Sequence, residues 1–196
     1  IYLFLINTSL AEQFIFKTSE IEIIDNGNLI NAKKGEVTSK EGDLVINAEK
    51  FEYTKKTNTL ISYNGTAYLK SENFNIEFGK LTANQEDLTI TAKDDVKILD
   101  IDKNVIIETN SIFFDKDKNI LKSDTNSLIK DNKNNILESS QFNYNLNNKI
   151  IKLKDVILKD YNENKFEIDF AYLNTSNDRL IGKDISINLN NKYFNK

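Results

Sequence analysis

The chain of 196 residues contains no cysteine, histidine, proline, methionine or tryptophan, and only 6 glycines. Without cysteine, disulfides and thiolate metal sites are excluded. Without histidine as well, Ser-His, Cys-His and His-metal arrangements cannot be built from these residues. The few glycines form no phosphate-cradling loop. A chain that has no methionine and starts at Ile1 is expected to be a fragment of a longer one. A net charge of −4, with no lysine or arginine cluster free of interleaved acids, argues against a phosphate-backbone partner.

What the chain does have is a repeat. In residues 44–73, Leu44, Ile46 and Ala48 alternate with polar neighbours, and a one-residue slip then moves the same face to Phe51 and Tyr53. A bulge near Glu49 and Lys50 would produce that slip. A polar turn over 54–58 follows, then an apolar run from Leu60, an Asn64-Gly65 corner and a short run of Ala67 and Leu69. Setting Leu44 in register with Phe74, Val105, Ile136 and Phe166 gives copies 30 or 31 residues apart. Within them Ile46 matches Ile76, Ile107, Leu137 and Ile168, while Phe51 matches Leu81, Ile112, Phe142 and Leu173. So small a drift indicates one supersecondary unit stacked many times. Asn-Gly and Asp-Asn-Gly segments permit the positive φ of tight hairpins, so the strands are expected to be antiparallel. Hydrophobic residues make up 39% and charged residues 29%, which suits a long thin core better than a thick one.

The chain opens on an apolar run, Ile1 to Ile6, with Ser9 and Ala11 at the −3 and −1 places of a signal-peptidase site. Residues 1–11 are expected to be the tail of an export signal, and a first strand is the other reading. Residues 14–43 form a shorter opening copy with an Asp25-Asn26-Gly27-Asn28 turn, and a polar tail, 190–196, closes the chain. No stretch holds a 3.6-residue period over three turns. Paired carboxylates could support glycoside hydrolysis, but the 30 acids fall in turns or on the outward register. Asp115-Lys116-Asp117-Lys118-Asn119 begins like a calcium loop, yet Ile120 stands where glycine is needed and Asn126 where a bidentate glutamate is needed, so it reads as a turn. Frequent isoleucine, asparagine and lysine fit base-composition drift, and the asparagine-rich turns carry little functional weight. The apolar stripe remains. It is either the filling between two facing sheets or the lining of a trough whose sheets splay to accept acyl chains.

Residues 16–69 resemble the OstA-type domain of the lipopolysaccharide transport proteins. The cadence is an apolar strand ending in Ala48, the Phe51-x-Tyr53 pair, a polar turn, Leu60 and the Asn64-Gly65 corner. Residues 171–196 look like the end of the periplasmic part of the LptD family of outer-membrane lipopolysaccharide-assembly proteins. The resemblance implies an all-β, elongated antiparallel β-jellyroll folded like a taco, spanning residues 12–196 and lying in the periplasm at the outer membrane. It implies no enzymatic activity and no cofactor. It further implies that the groove receives lipid A acyl chains from an LptA-like bridge protein joined by edge-strand addition. The chains would pass on to a transmembrane barrel plugged by an LptE-like lipoprotein. Cysteines that form disulfides in many members are absent here. On this reading Ile46, Ala48, Phe51, Ile76, Phe78, Leu81, Ile107, Ile112, Phe142 and Ile168 line the lipid path. A soluble bridge of the same fold is the nearest alternative. A right-handed β-helix adhesin or polysaccharide-active protein would need parallel strands, and a carbohydrate-binding sandwich would need exposed aromatics.

Overall fold

Runs of about ten alternating residues, too short and too β-branched for helices, become strands separated by asparagine-rich turns. A computed structural model describes residues 14–177 and 179–189; the expected export signal over 1–11 and the tail over 190–196 lie outside the described residues. The chain first lays down β1 (Phe14–Ile24), β2 (Leu29–Ser39), β3 (Leu44–Thr54), β4 (Thr59–Leu69), β5 (Phe74–Asn84), β6 (Thr89–Asp100) and β7 (Val105–Asp115). The next two passages are each broken in the middle, giving β8 (Ile120–Ser123) with β9 (Ser127–Lys130) and β10 (Ile136–Ser139) with β11 (Gln141–Asn145). Three further strands follow, β12 (Ile150–Lys159), β13 (Lys165–Asn174) and β14 (Arg179–Asn188).

All are joined in one sheet, and every pairing is antiparallel. The two ends of β7 pair with β8 and β9, and the two ends of β12 with β11 and β10, so the broken passages keep their places in a simple meander. The parallel β-helix is thereby excluded. The turns use left-handed residues at Asn58, Asn73, Leu88, Asn104, Asn119, Asn134, Lys149 and Glu163. Asparagine holds most of these places because its short polar side chain tolerates positive φ. The stacking unit is therefore one strand and one turn of about 15 residues, and the 30-residue repeat is two of them.

A second series of left-handed residues falls inside strands, at Lys34, Asn64, Asp94, Asp95, Asp155 and Asp184. Here each alternate strand bends sharply, and aligned bends crease the whole sheet along its length. Beside the crease Gly65 packs so closely that a Cβ would stand 2.2 Å from Asn47 O and 2.7 Å from Ala48 Cβ. This corrects the expected Asn64-Gly65 corner. Pairing runs through it, with Tyr63 opposite Lys50 and Gly65 opposite Ala48, so the dipeptide bends one strand and does not separate two. The slip between Ala48 and Phe51 has the same origin. Pairing of Ala48 with Gly35 and of Lys50 with Lys33 keeps register across it. The expected one-strand bulge lies instead in β6, where register shifts on both sides of Asp94-Asp95. Where β8 gives way to β9, the hydroxyls of Thr109, Ser123, Thr125 and Ser127 bond to one another at 3.0–3.1 Å and satisfy the broken ladder.

The crease divides every passage of the chain into two arms, β8 with β9 and β10 with β11 forming one passage each. Arms such as 44–48, 65–69 and 105–109 make a lower limb, and arms such as 50–54, 59–63 and 141–145 an upper limb. The core lies between the limbs, where one face of a single sheet meets itself. Leu44, Ile46, Ala67 and Leu69 from below and Phe51, Tyr53, Leu60 and Leu81 from above are all buried. Burial at about 25 cal/mol per Å² holds the fold closed, and edge-on ring contacts such as Phe14 with Tyr53 at 5.4 Å add to it.

A trough with an open end

Along β2 to β4, and on into the upper arms of β5 and β6, the inner face is filled by its own side chains. Nine of the ten residues expected to line a lipid path (Ile46, Phe51, Ile76, Phe78, Leu81, Ile107, Ile112, Phe142 and Ile168) point inward with at most 5% exposure, and Ala48 is half-buried against the same core. The structure thus brings all ten to one face, and of the ten Ile107 lines the cavity described next.

That space lies toward the C-terminal end of the stack. A cavity of about 460 Å³ runs between Phe74, Ile98, Val105, Ile107, Ile129, Leu137 and Leu158 of the lower limb and Tyr144, Ile151, Leu173 and Leu180 of the upper. Such a volume lies within the usual range for pockets that hold small-molecule ligands. Its walls are aliphatic, while its rim carries Asp100, Asp102, Lys103, Asp131, Asn132, Lys133, Asn135 and Thr175. Sequence alternation flags nearly all of the wall residues as inward. What it lacks is the signal that separates filled from unfilled stretches, namely distance from the crease and from the two ends of the stack.

The cavity exists because the limbs cross as they leave the crease. At the free rim the lower turn between β2 and β3 meets the upper turn between β7 and β8, where Asp43 Oδ2 pairs with Lys116 Nζ at 2.9 Å. The lower turn between β6 and β7 meets the upper one between β13 and β14, where Lys103 Nζ lies 3.3 Å from Thr175 Oγ1 and also donates to Tyr144 Oη. At the same offset the following lower turn, residues 131–135, would face an upper turn beyond β14, outside the described residues. Among the described residues this turn borders the cavity. Charges on the rim respond to this packing. Burial works against the Asp43 charge, but the bonds from Lys116 and from the Ser71 N–H outweigh it and hold the carboxyl below its ordinary range. Burial likewise works against the Lys103 ammonium and is outweighed by Tyr144 and Asp100, so that its pKa rises. Glu72, between them, is pushed up by burial and by Asp43 and Asp100, with Lys149 pulling the other way.

Both ends of the sheet leave inward-register side chains uncovered. Ile21 and Ile23 on β1, paired with Ala32 and Ile30, are 54% and 62% exposed; Ile185 and Ile187 on β14, paired with Ile168 and Phe166, are 50% and 57% exposed. Among the described residues β1 and β14 are also the edges of the sheet.

No family model and no curated protein matches the chain. Among solved structures it is similar to the crystal structure of LptH, the LptA homologous periplasmic component of the conserved lipopolysaccharide transport device from Pseudomonas aeruginosa. The TM-score is 0.52 at 10% sequence identity, over 61% of this chain and 96% of that one. The fold is therefore the LptA-like antiparallel β-jellyroll. Because almost all of LptH is matched by three-fifths of this chain, the chain carries further strands beyond one such unit.

Proposed function

We propose that this domain carries the acyl chains of lipopolysaccharide through the periplasm inside its folded sheet, as part of an LptA-like transport bridge. The observation that carries this reading is the 460 Å³ apolar cavity with a polar rim, continuous with a predominantly apolar inner face. Each methylene moved from water onto such a face gains about 0.8 kcal/mol, and a continuous strip spares the lipid a large climb between sites. Likeness to LptH, itself a component of a lipopolysaccharide transport device, supports the same class of cargo. The open edges β1 and β14 suit addition of an LptA-like partner strand.

Within that class we place the chain as the periplasmic domain of an LptD-type assembly protein, on the resemblance of residues 171–196 and on the strands beyond one LptA-like unit. It would then hand lipid to an outer-membrane barrel held by an LptE-like lipoprotein. The ten inward residues remain the proposed path, with Phe74, Leu137, Ile151, Leu173 and Leu180 added at its open end. A photo-crosslinking amino acid placed at Ile107, Leu137 or Leu173 is expected to give lipopolysaccharide adducts. At the outward positions Glu52 and Lys97 it is expected to give none. Equal adducts on both faces would end the proposal.

A further inference from the structure

The two contacts across the free rim belong to a series. If β8 with β9, and β10 with β11, count as one passage each, Asp43 and Lys116 lie in turns five passages apart. Glu72 and Lys149 are separated in the same way, and so are Lys103 and Thr175. Two lower turns therefore each set a charged side chain against an upper turn at constant offset, as rungs of a ladder, and Glu72 and Lys149 occupy the corresponding places in the turns between them. The rungs are anchored from behind. Asp43 Oδ1 accepts the Ser71 N–H at 2.9 Å, Lys70 N donates to Asp43 O at 2.9 Å, and Asp100 Oδ2 lies 3.4 Å from Lys103 Nζ. Neither side chain of the first rung is more than a quarter exposed, so it is shielded from the screening that makes open surface pairs weak. The rungs stand on the side opposite the crease, the one long side where the two limbs are not joined by backbone.

We infer that these rungs are a latch on the long side of the trough: closed, they seal the filled stretch from water, and released, they let the limbs part about the crease so that an amphiphile enters sideways. The cargo named here rests on the lipopolysaccharide reading above, but the latch itself is a property of the rim. The second rung is the wall between the sealed stretch and the cavity, since Lys103, Tyr144 and Thr175 line that cavity. A chain drawn into the cavity reaches the sealed stretch by displacing Lys103 from Tyr144.

Two measurements on the full chain test this, and the absence of cysteine makes labelling clean. First, spin labels at Glu41 and Asp117, exposed neighbours of the first rung, report the width of the rim. The parent is expected to give one narrow distance. Lys116→Met with Lys103→Met is expected to broaden and lengthen it by at least one strand spacing, about 5 Å, while the charge swap Asp43→Lys with Lys116→Asp restores the first rung. An unchanged distance in the double variant overturns the latch whatever the cargo. Second, Glu41→Cys with Asp117→Cys is joined by a thiol-cleavable bismaleimide and offered fluorophore-labelled lipopolysaccharide. Uptake is expected to slow about tenfold or more, as when a lid is locked, and to recover on cleavage. Uptake at the parent rate would show entry from the end and overturn the side-opening role. Failure of the uncrosslinked parent to take up lipid would count against the proposed cargo, and the spin-label distances would still decide the latch.

Discussion

At the scale of single residues the crease and the rim carry the sharpest consequences. Asn64 sits at φ 49° inside β4, where a β-branched side chain clashes with its own backbone. Asn64→Val is expected to cost about 2 kcal/mol and Asn64→Gly less than about 1 kcal/mol, both read from urea unfolding. Ser62, buried on the inner face, has a hydroxyl with no hydrogen-bond partner among the described residues. Ser62→Ala should therefore raise stability by about 1 kcal/mol. Asp43 ties the rim to acid. Its folded pKa is depressed below the ordinary 3.8, so its contribution is present above that value and is lost as pH falls through the folded one. Lys116→Gln should lower the melting temperature near pH 7, flatten its decline below pH 4, and converge with the parent at still lower pH. A parallel offset at every pH would show that the pair does not titrate in this way.

Among the elements, the filled and unfilled stretches should respond in opposite directions to changes of size. Leu81 is fully buried in the filled stretch, and Leu81→Ala should cost about 3 kcal/mol through the cavity it leaves. Ile129→Phe projects into space that already exists, so denaturant unfolding should shift by less than about 1 kcal/mol while lipid uptake falls. The strands themselves were legible in the sequence. Period-2 alternation marked them, polar turns bounded them, and Asp25-Asn26-Gly27 correctly signalled an antiparallel return. Asn64-Gly65 misled because an Asn-Gly pair encodes positive φ without saying whether the chain reverses or only bends. That choice is made by pairing on both sides, Lys50 with Tyr63 and Ala48 with Gly65, which is not a local property. The inward set from Ile46 to Ile168 could be read from alternation alone. Which of its members border a void could not, because the void depends on the crossing of the two limbs and on where the stack ends.

For the molecule as a whole, creasing one sheet solves two problems together: it buries an apolar face without a second sheet or a helix layer, and it leaves one long side free of backbone. Among the described residues the two end strands leave Ile21 and Ile23 exposed on one side and Ile185 and Ile187 on the other. Replacing Ile21 and Ile23 with lysine should leave unfolding of the isolated chain within about 0.5 kcal/mol. Crosslinking to an LptA-like partner at β1 should be lost if that edge is the one used, and retained if the partner joins at β14. The central claim, that acyl chains travel between the limbs, is tested most directly by fluorescence, because the chain has no tryptophan. Tryptophan is introduced singly at Leu173 inside and at Glu52 outside, and lipid with brominated acyl chains is added. Strong quenching is expected at Leu173→Trp and none at Glu52→Trp; equal quenching at both, or none at Leu173→Trp, would contradict transport between the limbs.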